Sequence, residues 1–153
     1  MNKEIDLLYQ CSRNKVLWTA VTGWIVAQII KVLIGVVKER RFNFRWFIGT
    51  GGFPSSHASG VSSLATAVAI VSGVDSILFA ITLIFTLIVL FDAQGVRRST
   101  GQQAEILNKM LDDIYWRKKL DENRLKELIG HTPIQVISGV ILGVSIALIC
   151  YYL

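Results

Sequence analysis

The chain has 153 residues, of which 52% are apolar and 18% charged, with a net charge of +5 and a mean hydropathy of +0.51. A soluble domain this small could not bury so much apolar surface, so the composition excludes an ordinary water-soluble fold and requires lipid to cover part of it. Cys11 and Cys150 lie near opposite ends, in no CxxC or metal-ligand spacing, and read as two free thiols.

Residues 1–15 form an amphipathic lead-in, with Ile5, Leu7, Leu8 and Tyr9 among charges. Spanning a bilayer takes about 20 mostly apolar residues in a helix. The first such stretch, about 16–37, contains Gln28 and Lys31; it is long, starts well after the N-terminus and has no small-residue cleavage site behind it, so it is expected to stay in the membrane. A basic loop with Lys38, Arg40, Arg41 and Arg45 follows, then the turn Gly51-Gly52-Phe53-Pro54. The second stretch, about 56–71, is short and rich in Ser, Ala, Thr and Gly, which on hydropathy alone is compatible with a re-entrant segment. Ser59, Ser63 and Ala67 at four-residue spacing point instead to a helix packed tightly against neighbours.

After Gly73-Val74-Asp75 comes a solidly apolar third stretch, about 77–92. Residues 96–131 are polar but carry apolar positions at near-helical spacing (Ile106, Leu107, Met110, Leu111, Ile114, then Leu125, Leu128, Ile129), which predicts a helical hairpin at the membrane surface. The fourth stretch, about 133–153, holds Gly139 and Gly143 as a GxxxG, suited first to packing within the bundle and second to a homo-oligomer. The expected fold is all-α: one integral membrane domain with about four transmembrane helices.

Lys and Arg crowd the first and third loops, whereas the tight second connection has none. The positive-inside rule puts those two loops in the cytoplasm and both termini outside, although Lys3, Arg13 and Lys15 pull weakly the other way. On the basic side, Gly52-Phe53-Pro54-Ser55-Ser56-His57 enters the second helix, Asp92, Gln94, Arg97 and Arg98 leave the third, and His131-Thr132-Pro133 enters the fourth. Lys31 lies in the half of the first helix nearest that side. Both histidines of the chain thus reach one membrane face.

Each part suits a phosphate. A glycine turn running into a helix offers backbone N–H groups and the positive end of the helix dipole. Lys31 and one of the two arginines can neutralise phosphate oxygens, and two histidines permit one to attack phosphorus while the other protonates the leaving oxygen. Bland roles are also available: Ser56 as a helix cap, Pro133 as a first-turn proline behind a Thr132 cap, Lys31 snorkelling, and Arg97 and Arg98 as topology determinants. Their joint placement weakens these bland readings as a set, and a capping residue can also serve catalysis. No thiolate stands near the histidines, which argues against a structural zinc site; no metal or cofactor is expected, although the sequence leaves a Mg²⁺ near Asp92 open.

The run Pro54-Ser55-Ser56-His57 resembles the Pro-Ser-Gly-His motif of the type 2 phosphatidic acid phosphatase and haloperoxidase superfamily. From Lys31 to Gly143 the chain is similar to its divergent small-membrane branch, through GGFPSSHAS, DAQGVRRSTGQQAEILN and KELIGHTPIQVISGVILG. The resemblance implies His131 as nucleophile and His57 as acid, with Lys31, Ser55, Ser56 and Arg97 or Arg98 on the phosphate oxygens. Three departures stand out. Lys38 occupies the place of the first motif's arginine with no proline after it, the surface hairpin separates Arg97 and Arg98 from His131, and Gln135 replaces an aspartate. Asp92 or Glu127 could supply the missing charge.

The expected function is a membrane phosphatase acting on a lipid phosphate monoester or diphosphate, seated in a bacterial-type plasma membrane with its site toward the cytoplasm. The alternative is a non-catalytic protein that binds or moves an anionic lipid or phosphate with the same pocket; Gln135 and the split third motif favour it. A purely structural scaffold accounts for the GxxxG and leaves the polar convergence unexplained. Nucleic acid is not an expected partner, since topology and anionic headgroups account for the basic clusters.

Overall fold

The computed structural model describes residues 3–40, 52–95, 103, 106–108, 110–111 and 131–153. Five helices are defined there: α1 (Lys3–Ser12), α2 (Lys15–Glu39), α3 (Ser56–Ser72), α4 (Ile77–Gln94) and α5 (Pro133–Tyr152). Of these, α2, α4 and α5 are long and apolar enough to cross a membrane. With 17 residues, α3 is about 25 Å long, slightly short of a hydrocarbon core of about 30 Å. Most of the predicted surface hairpin lies outside the described residues; 106–108 and 110–111 are helical, with Asn108 buried between exposed Leu107 and Met110.

The bundle is organised around α3, which packs on α2, α4 and α5. Its small side chains are what allow this. Ser55, Ser59, Ser63, Ala58 and Ala67 are all fully buried, and a Cβ added to Gly143 would strike the Ser59 carbonyl oxygen. One at Gly139 would come within 2.5 Å of the Ser55 carbonyl oxygen, so the α5 GxxxG is taken up inside the chain by α3. Gly23 plays the same part on α2, its face filled by Ser63. Hydroxyls then tie the helices: Ser59 Oγ donates to the Gly23 carbonyl at 2.8 Å, Ser63 Oγ to Gly143 at 3.0 Å, and Thr86 Oγ1 to Val61 at 3.2 Å. With lipid tails as apolar as leucine, close packing and such bonds, not water exclusion, hold membrane helices together.

The pairings fix directions. Lys31 meets Ser56 while Gly23 meets Ser59 and Ser63, so α2 and α3 are antiparallel. Gly139 meets Ser55 while Gly143 meets Ser59, so α3 and α5 are parallel. The link between α3 and α4 is tight: Gly73 ends α3 at φ +84°, and Ser76 Oγ donates to the Gly73 carbonyl while accepting from Phe79 N–H. At this far end Lys15 Nζ also sits 4.3 Å from the Tyr151 ring centroid, clasping the start of α2 to the end of α5. Asn14 caps α2, and Trp18 Nε1 donates to the Ser12 carbonyl, fixing the bend out of α1. Cys11 and Cys150 are both free thiols.

Candidate functional site

The start of α3, the end of α4 and the start of α5 meet at one end of the bundle, joined by their main chains. Ser55 N–H donates to the Gln135 carbonyl at 3.0 Å, and His131 N–H donates to the Ala93 carbonyl at 3.2 Å. Ala58, Ala93 and Val136 form a small apolar cluster directly beneath. These two bonds place the histidine rings together, with centroids 6.2 Å apart and planes inclined by 58°. His131 is 2% exposed.

Lys31 reaches this end from α2, eight residues or about 12 Å before the end of that helix. It is 9% exposed, and its ammonium donates to Ser56 Oγ at 3.3 Å. Among the described residues no carboxylate pairs with it. Gly52, at φ +88°, lies across the lysine stem: a Cβ there would come within 3.0 Å of Lys31 Cγ and 3.1 Å of Cδ. The glycine turn therefore has two reasons for Gly52, a left-handed backbone and the close approach of a buried cation.

The two adjacent serines have separate tasks. Ser55 is the N-cap of α3, its Oγ accepting from Ala58 N–H at 3.3 Å, whereas Ser56 is the first helical residue and faces Lys31. The cap that the sequence allowed at Ser56 is thus one residue earlier, and Ser55 has both its N–H and its Oγ engaged within the protein.

Gln135 carries two bonds on one atom. Its Oε1 accepts Thr132 N–H at 3.0 Å, completing the reach-back half of a capping box at the start of α5, and lies 3.2 Å from His131 Nδ1. Because the backbone N–H can only donate, the atom it meets must be the amide oxygen, so the hydrogen of a neutral His131 sits on Nδ1. That leaves the lone pair on Nε2, the nitrogen a nucleophile would use. The capping role was open to reading in the Thr-x-x-Gln spacing. Asp92 is half-buried on the last turn of α4, while Arg97 and Arg98 lie outside the described residues. Gly52 belongs to the motif turn read from the sequence, but its packing against the Lys31 stem is visible only in the structure; Asn108, buried between exposed neighbours, has no role in the sequence reading.

A model of the Divergent PAP2 family matches residues 12–146. The chain is also similar to the uncharacterized membrane protein YuiD of Bacillus subtilis (strain 168), with 39% identity over 150 residues, covering 91% of this chain and 95% of that protein. No solved structure matches it significantly. A motif order running from the buried lysine to the second histidine, a bundle that gathers those residues at one end, and a family match over most of the length lead to one conclusion: the chain is a membrane protein belonging to the Divergent PAP2 family.

Proposed function

We propose that this protein is a membrane phosphatase that hydrolyses a lipid phosphate monoester or diphosphate through a phosphohistidine, with α2, α3, α4 and α5 all crossing the bilayer and the site at its cytoplasmic face. The observation that carries the reading is the 6.2 Å separation of the His57 and His131 rings beside the Lys31–Ser56 pair. Two imidazoles this close, beside a lysine and a serine, can both reach one bound phosphoryl group, one as nucleophile and the other as acid.

In the first step His131 Nε2 attacks phosphorus, the bond to the lipid oxygen breaks, and that oxygen takes a proton from His57. In the second, water attacks phosphorus, gives its proton to His57, and the P–N bond breaks to release inorganic phosphate. Lys31 and Ser56 hold the non-bridging oxygens, joined by Arg97 or Arg98. Gln135 holds the His131 ring by Nδ1, although a neutral amide stabilises an imidazolium less than a carboxylate does.

The test is phosphate release by the purified protein from a panel of lipid phosphates, with labelled phosphate trapped on His131 by rapid acid quench. Release that disappears in His131→Ala and His57→Ala supports hydrolysis. Saturable phosphate binding with neither release nor trapping would instead establish the second reading, a binder or carrier of anionic lipid, which the neutral Gln135 favours.

A further inference from the structure

A groove of about 290 Å³ runs between α4 and α5 on the lipid-facing side of the bundle. Leu90 and Val140 form its floor, packed on the buried Ala58, Ala93 and Val136. Its rims are Leu87 and Phe91 on one side and Ile137 and Ile141 on the other, all substantially exposed. The groove has one polar end, at Gln94, directly after the Ala93 carbonyl that receives His131 N–H. It thus leads from membrane depth to the edge of the histidine pocket.

We infer that this groove holds one hydrocarbon chain of the phosphate-bearing lipid, which slides in sideways between α4 and α5 and presents its phosphate to His57 and His131 past Gln94. The inference rests on reading that pocket as a phosphate site. From Leu87 to Gln94 the groove is about 10 Å long. A volume near 290 Å³ is at the small end of ligand pockets, about 300–1,000 Å³, which suits a single chain. Continuity with the polar end distinguishes this groove from the other exposed apolar faces, which lipid covers without reaching the site.

The experiment uses the full chain in phosphatidylcholine vesicles with dodecyl phosphate carrying a photoactivatable diazirine near mid-chain, and the matching dodecanol as control. Labelling by the phosphate compound should concentrate on α4 and α5 peptides and be displaced by unlabelled dodecyl phosphate. Val140→Phe, which narrows the floor, should reduce it by about tenfold. The dodecanol should label the lipid-facing surface diffusely. Equal labelling by both compounds, or label spread over α2 as well, would overturn the inference, as would crosslinking of α4 and α5 to a second copy of the chain. The two readings fail separately: groove labelling without phosphate release keeps the groove and removes hydrolysis, and release with labelling elsewhere does the reverse.

Discussion

Helices α3 and α4 are joined by a four-residue link and differ by one residue in length, yet they are built on opposite rules. Most of α4 faces outward: ten of its 18 residues are exposed, among them Ile77, Leu78, Ile81, Ile84, Ile88 and Phe91, and only Thr86 and Ala93 are buried. In α3 the buried residues are Ser56, Ala58, Ser59, Ser62, Ser63, Ala65 and Ala67, none larger than alanine or serine. In water the larger apolar set would be the core. In lipid the core is whatever lets backbones approach and pairs its own polar atoms. The more hydrophobic helix is therefore the one that specifies less.

The sharpest way to break this contrast is to enlarge a small residue facing α3. Gly143→Leu puts side chain where the Ser59 carbonyl stands, and we expect a loss of more than about 3 kcal/mol, seen as absence of a monodisperse folded species in detergent and collapse of the thermal transition. Next comes Lys31→Met, which separates stability from function within the same core. Phosphate binding measured by calorimetry should fall by about 10- to 100-fold, as for loss of one charged hydrogen bond, while the melting temperature holds or rises because a costly intramembrane charge is removed.

Smaller effects sharpen the comparison at the start of α5. Gln135→Ala removes the capping acceptor and should cost about 1 kcal/mol in thermal stability. Gln135→Glu keeps that acceptor and adds a charge beside His131 Nδ1, so phosphate release should rise above that of the native chain as stability stays level. Smallest are two substitutions to alanine. Ser59→Ala should cost about 0.6 kcal/mol through its bond to Gly23, and Ile84→Ala on the lipid face of α4 less than about 0.5 kcal/mol, both by denaturant titration.

The same contrast explains what was legible beforehand. α4 announces itself, because one environment along its whole length selects one kind of residue. α3 nearly disappears on hydropathy, and what identifies it is the four-residue spacing of Ser59, Ser63 and Ala67. The meeting of His57, His131 and Lys31 followed from topology, since alternating helices return to the same face. Finer distinctions lie in contacts between helices, which spacing along one segment does not encode. Ser55 and Ser56 are equally good caps by type, and the Ala58 N–H on one and the Lys31 ammonium on the other tell them apart. Likewise Gln135 stands three residues after Thr132 and four after His131, and both spacings turn out to be used by one oxygen.

The bonds from Ser55 N–H to Gln135 and from His131 N–H to Ala93 involve no side chain at all. Any residue but proline at positions 55 and 131 keeps both donors, and any residue at 93 and 135 keeps the acceptors. The frame that spaces the two imidazoles is thus main chain, and the reagents are side chains carried on it. A substitution that removes a reagent leaves that frame in place, so the shape of this seam does not by itself report its chemistry.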